Sequence, residues 1–163
     1  LGLILAISSR LDNARITKDL ATTAMLMSEG EMIEGRLESS GDITFDDYLK
    51  VIEYKTATAF EVAARTGGII ANGTEEQIEA LTGYGKNLGI AYQIRDDLLD
   101  WKNEEKLFNL LIKKSVDPRE GFNKMEELLK EYSEKARSFL RKIPDNDAKI
   151  NLEKLIKFTS FSP

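Results

Sequence analysis

Three observations predict an all-α fold for this sequence. Apolar residues recur at helical spacing along the chain. No stretch alternates strictly apolar and polar between turn signals. Three helix-start patterns also punctuate the chain: Thr44 with Asp47, Thr74 with Gln77, and Asp117-Pro118 followed by Glu120. The 163 residues are long enough for one modest core, so residues 1–163 are expected to form a single domain.

The apolar run from Leu1 to Ile7 is too short to span a bilayer. With no basic segment before it and no cleavage pattern after it, it does not make a signal peptide. The chain opens in mid-pattern without Met, as expected of a C-terminal portion whose N-terminal helices are missing. A first long helix is predicted from about Thr17 to about Leu37, ended by Ser39-Ser40-Gly41. Thr44 and Asp47 then form a capping box for a helix carrying Tyr48, Ile52, Ala59, Phe60 and Ala63 on one side. Gly67-Gly68 and Asn72-Gly73 loosen or break its end. The box Thr74–Gln77 opens a helix through Ile78, Leu81, Leu88 and Tyr92 to about Trp101. Asn103 is placed to cap a short helix through Leu107, Leu110 and Leu111. Asp117-Pro118 starts another, through Phe122, Met125, Leu129, Tyr132, Ala136 and Phe139 to a stop at Pro144. A last helix runs from about Asp145 through Leu152 and Ile156, for about six helices in all.

Composition narrows the chemistry. There is no Cys and no His, which excludes disulfides, thiolate zinc sites, cysteine nucleophiles and every histidine-based triad. Carboxylates, lysine, hydroxyls and hard cations with oxygen ligands remain. The net charge of −5 gives no footprint for nucleic acid, and a polyanionic ligand would need a local basic group or a bridging cation. The lack of cysteine fits a reducing cytoplasm.

The densest chemistry lies in Gln93-Ile94-Arg95-Asp96-Asp97-Leu98-Leu99-Asp100-Trp101. Gln93, Asp96, Asp97 and Asp100 fall at i, i+3, i+4 and i+7 and share a helix face, while Ile94, Leu98, Leu99 and Trp101 lie on others. Two carboxylates one turn apart, at ~6 Å, repel by roughly 0.7 kcal/mol in water and about 3 kcal/mol at an effective dielectric near 20. Three aspartates at this spacing by themselves make a solvated acidic face. Here Gln93 shares the face, and Gly85 and Gly89 continue it upstream, leaving room for a ligand or for a close neighbouring helix. In a cleft, such a cluster calls for a cation.

The segment from Tyr84-Gly85-Lys86 through Gln93-Ile94-Arg95-Asp96-Asp97-Leu98-Leu99-Asp100 resembles the second aspartate-rich motif of the trans-prenyl diphosphate synthases, which include the farnesyl and geranylgeranyl diphosphate synthases. Tyr48-Leu49-Lys50-Val51-Ile52-Glu53-Tyr54-Lys55-Thr56-Ala57 is similar to that family's Lys-Thr helix. Gly30-Glu31-Met32-Ile33-Glu34 resembles its Gly-Gln-x-x-Asp motif, with Glu at both variable positions. The match covers Leu1 to about Trp101, and its order of motifs is much harder to reach by chance than one DDxxD.

The resemblance implies an isoprenoid synthase-type helical bundle around a deep cavity, working as a homodimer. It implies Mg²⁺-dependent, head-to-tail condensation of an allylic prenyl diphosphate with isopentenyl diphosphate. Asp96 would be the main Mg²⁺ ligand, and Asp97 and Asp100 would ligate through water or support it. Lys55 would contact the allylic diphosphate, with Thr56 and Gln93 bonding near the leaving oxygen. Each has a plainer reading. Lys55 can be a surface lysine, Thr56 can bond its own helix backbone, Phe60 and Tyr92 can be core, and Glu31 and Glu34 can simply balance nearby basic groups.

Two features depart from the family. Its first aspartate-rich motif has no counterpart here, since Asp12-Asn13-Ala14-Arg15 and Asp46-Asp47 stand in the wrong place, so the chain alone is expected to be catalytically incomplete. After Trp101, where the family has a Gly- and Lys-containing loop, Lys102-Asn103-Glu104-Glu105-Lys106 runs directly into a new apolar pattern. The loop is either deleted or falls in a gap of the sequence, and Lys102 and Lys106 are poor substitutes for its lysine. A non-catalytic partner subunit of the same fold is therefore a rival reading. An unrelated helical interaction bundle is a third, and the joint presence of Lys55, Thr56, Gln93 and the three aspartates argues against it.

Overall fold

The computed structural model describes residues 2–101, 107–115 and 117–159. Among them there is no strand, and the α-helices follow one another as α1 (Gly2–Ser8), α2 (Ala14–Ser40), α3 (Phe45–Ile52), α4 (Thr58–Ile70), α5 (Glu75–Leu99), α6 (Leu107–Lys114), α7 (Pro118–Leu140) and α8 (Asp147–Thr159). None of them is long and apolar enough to cross a membrane.

The start signals act through their side chains. The Thr44 hydroxyl accepts from the Asp47 N–H while Asp47 accepts from the Thr44 N–H, and Thr74 and Gln77 repeat the arrangement. Asp117 accepts from the Arg119 N–H, with Pro118 at the first helical position. Each exchange satisfies backbone donors that a helix start leaves open, at about 1 kcal/mol per cap.

Several boundaries move. The first long helix begins three residues before Thr17, because Asn13 caps it by accepting from the Ile16 N–H, and it reaches Ser40 before Gly41 turns into the left-handed region. Gly67-Gly68 lie within α4, and the break comes at Ala71 to Gly73 instead. α5 stops at Leu99, α7 stops at Leu140 ahead of Pro144, and α8 starts at Asp147 with Asn146 accepting from the Lys149 N–H. The apolar start of the chain forms a helix of its own, α1, which periodicity over so few residues does not show. The cap expected at Asn103 lies outside the described residues.

The largest departure is between α3 and α4. Helical backbone is continuous from Phe45 to Ile70, but Glu53–Ala57 forms a π turn. Such wider single turns concentrate at functional sites. Glycines on both neighbours accommodate this one. A Cβ on Gly30 of α2 would come within 2.8 Å of Lys55 Cγ, and one on Gly89 of α5 within 2.7 Å of Ala57 Cα. Gly85 meets the Phe60 carbonyl oxygen in the same way, at 2.5 Å. Gly85 and Gly89 thus both serve close packing of the neighbouring helix.

α5 packs against both α4 and α7 and contributes to two apolar clusters. Ile90, Ala91 and Ile94 join Tyr48, Val51 and Ile52 of α3, Phe108 and Leu111 of α6, and Met125 and Leu129 of α7. Tyr84 and Leu88 join Ala136, Leu140 and Ile156. Each fully buried aliphatic side chain stabilises the fold by about 1.5–3 kcal/mol.

Candidate functional site

α5 carries Gln93, Asp96 and Asp97 and is capped by Asp100, and the π turn carries Lys55 and Thr56. The two elements face each other across a cavity of about 290 Å³ lined by Glu34, Val51, Ile52, Lys55, Thr56, Gln93, Asp97, Leu107 and Phe108. One side is polar and the other apolar, with the apolar side completed by α6.

A chain of hydrogen bonds orders the polar side. The Thr56 hydroxyl donates to Gln93 Oε1 at 2.9 Å, and Gln93 Nε2 donates to Asp97 Oδ1 at 3.1 Å. The Tyr48 hydroxyl donates to Asp97 Oδ2 at 2.6 Å. Thr56 therefore bonds across to α5 rather than to its own helix. The orientation of the Gln93 amide is set from both ends, with its oxygen towards Thr56 and its nitrogen towards Asp97. Burial, followed by the charge and hydrogen bond of Asp97, pushes the Tyr48 pKa well above its ordinary value, so Tyr48 stays a neutral donor.

The structure sets the three aspartates apart. Asp97 is only 6% exposed and accepts through both oxygens. Asp96 is half-buried, and no hydrogen bond or ion pair among the described residues engages its carboxylate. Asp100 is exposed at the C-terminal cap, its N–H donating to the Asp96 carbonyl. Among the described residues no group of three or more carboxylates converges to hold a metal ion, and Asp96 and Asp100 do not line the cavity with Asp97. The donor set fits a hard divalent cation held by one or two carboxylates, with the remaining ligands coming from elsewhere. It does not fit a site made by protein alone.

Lys55 is no loose surface lysine. Its side chain is 26% exposed and forms ion pairs with Glu34 and, at 3.2 Å, with Glu31. Burial alone would lower its pKa, but the hydrogen bonds and charges of Glu34 and Glu31 outweigh that and hold it raised. Glu31 and Glu34 thus balance a basic group, and that group is the cavity's lysine. Phe60 and Tyr92 stack with ring centroids 5.3 Å apart, Phe60 against the second apolar cluster and Tyr92 37% exposed.

Sequence reasoning missed Tyr48 as the partner of Asp97, and Leu107 and Phe108 as the apolar wall. One signal for Tyr48 was available, because a tyrosine on the inward face of a helix needs an acceptor for its hydroxyl. The π turn left no such signal.

Comparison with known proteins identifies the family and the fold. The sequence model of the polyprenyl synthetase family matches residues 1–121, twenty residues beyond Trp101. The geranylfarnesyl diphosphate synthase of Natronomonas pharaonis is 42% identical over 82 residues, which are 50% of this chain and 24% of that protein. The decaprenyl diphosphate synthase of Rhodobacter capsulatus superposes with a TM-score of 0.83 at 25% identity, covering 96% of this chain and 62% of that one. A polyprenyl synthase from Caulobacter crescentus, solved in complex with calcium and isoprenyl diphosphate, superposes with a TM-score of 0.77 at 27% identity, over 93% of this chain and 60% of that one. The chain thus spans about a quarter of the curated relative's length and somewhat over half that of the solved structures. The family model covers well over half of the chain and the solved structures share its all-α bundle, so this chain belongs to the polyprenyl synthetase family.

Proposed function

We propose that this chain forms the diphosphate-holding part of a prenyltransferase that condenses an allylic prenyl diphosphate with isopentenyl diphosphate, head to tail. The observation that carries the reading is the meeting of Lys55, Thr56, Gln93 and Asp97 in one cavity. In that reading Lys55 supplies positive charge to the diphosphate as a point donor. The Thr56–Gln93–Asp97–Tyr48 chain holds Gln93 in one orientation beside it. Val51, Ile52, Leu107 and Phe108 offer an apolar wall that excludes water from a reacting allylic group. Asp96 and Asp100 would hold Mg²⁺, with Asp97 orienting Gln93 behind them. When bound, Mg²⁺ neutralises charge that builds on the departing diphosphate, and no protein nucleophile is required.

The reading is tested by incubating the protein with an allylic diphosphate, labelled isopentenyl diphosphate and Mg²⁺, while titrating inorganic diphosphate by calorimetry. Elongated product supports the enzyme. Diphosphate binding without elongation is expected of this chain alone under either reading and supports the diphosphate site. No diphosphate binding with or without Mg²⁺ overturns the site. The homodimer is part of the same proposal. Ile4, Ile7 and Leu11 at the N-terminal end, with Met25 and Met32 on α2, leave exposed apolar side chains that a second copy would cover. Light scattering that finds only monomer for both the protein and a Met25→Glu, Met32→Glu variant would reject it.

A further inference from the structure

Among the described residues lining the cavity there is one cation, and it is already engaged. That cation is Lys55, and Glu31 and Glu34 both pair with its ammonium. The arrangement is built in. Gly30 lets α2 lie against the π turn, with 2.8 Å from its would-be Cβ to Lys55 Cγ and 3.1 Å to the Lys55 N. Glu31 and Glu34, three apart on α2, share a helix edge and reach the same ammonium. The side chains of Lys55 and Glu34 are 26% and 23% exposed, so solvent screens the pair only partly. At Lys55 one positive and two negative charges therefore meet an incoming diphosphate, with Asp97 a further carboxylate on the cavity lining.

We propose that Glu31 and Glu34 act as positioning residues that hold Lys55 in reserve, making diphosphate binding depend on a divalent cation. This rests on the diphosphate reading given above. A bare diphosphate must take Lys55 from two carboxylates and meets their net repulsion. A diphosphate carrying a divalent cation brings compensating charge, so Lys55 can be shared between the carboxylates and a phosphate oxygen. The two glutamates thereby raise the coupling between metal and diphosphate.

Glu34→Gln tests this, because it keeps the size and an acceptor for Lys55 while removing one charge. Inorganic diphosphate is titrated by calorimetry into the protein, Glu34→Gln, and Glu34→Gln combined with Lys55→Met, each in EDTA and in saturating Mg²⁺. Circular dichroism confirms that all three are folded. Removing one like charge at a partly buried site is expected to tighten metal-free binding by about tenfold, with a much smaller gain in Mg²⁺. The gain should vanish when Lys55 is also replaced. A merely structural role for Glu34 would shift affinity equally in both buffers. Equal affinities for the protein and Glu34→Gln, or a gain that persists without Lys55, overturn the inference and leave the diphosphate site standing. Absence of binding by every form in both buffers overturns the diphosphate site and the inference with it.

Discussion

The Tyr48 hydroxyl donates to Asp97 Oδ2 across 2.6 Å, with Tyr48 1% and Asp97 6% exposed. The bond joins the helix before the π turn to the centre of the aspartate motif, 49 residues later. Tyr48→Phe leaves a buried carboxylate short of one donor, and that should cost about 1–3 kcal/mol of stability. Urea unfolding followed by circular dichroism measures it, and a change below about 0.5 kcal/mol would be of the size of an ordinary surface substitution.

Two tyrosines give the fold an alkaline limit. Burial, then Asp97, raises the Tyr48 pKa well above its ordinary value, and burial raises that of Tyr84, whose hydroxyl donates to the Leu152 carbonyl. The unfolded chain releases these protons near pH 10 while the folded chain keeps them. Above that pH the unfolded state binds fewer protons, so stability falls as pH rises. Their contribution should be level below about pH 9 and decline from about pH 10 upwards. Urea midpoints across that range should show the decline, and Tyr84→Phe should make it shallower.

Asp96 and Asp97 should respond differently to the same change. Asp96→Asn removes no hydrogen bond or ion pair seen among the described residues, so stability should stay within about 0.5 kcal/mol. Under the metal role proposed for Asp96, diphosphate affinity in Mg²⁺ should fall by about tenfold or more. Asp97→Asn should instead lower the melting temperature, because an amide cannot accept at both positions from Tyr48 and Gln93. Thermal melts and calorimetry on the two variants separate the roles, and identical behaviour would remove the distinction.

Gly89→Ala probes the packing of the π turn. Its Cβ would stand 2.7 Å from Ala57 Cα and 3.0 Å from Phe60 Cβ, so backbone rather than a flexible side-chain tip must yield. A loss of about 1–3 kcal/mol is expected from overpacking. Lys55 and Thr56, just before Ala57, should shift with it, weakening diphosphate binding as well as stability. Urea melts and diphosphate titration read the two effects separately. Wild-type stability would show that α4 and α5 can separate without cost.

Local chemistry carried much of the outcome. The all-α class and the starts at Thr44, Thr74 and Pro118 follow from side chains that cap their own helices within three residues, so nearby sequence decides them. The face shared by Gln93, Asp96, Asp97 and Asp100 follows from helical period alone. Period says which side chains share a face, but not what lies opposite. Only the tertiary structure decided that Gly85 and Gly89 admit α4 rather than a ligand, that Asp97 turns to Tyr48 while Asp96 does not, and that Glu31 and Glu34 close on Lys55. The π turn at Glu53–Ala57 belongs with these. Its sequence reads as ordinary helix, and one extra residue in a turn persists here where Gly30 and Gly89 leave space on both sides. That space is made by two other helices, one beginning 39 residues before the turn and the other ending 42 residues after it, and no local pattern can report it.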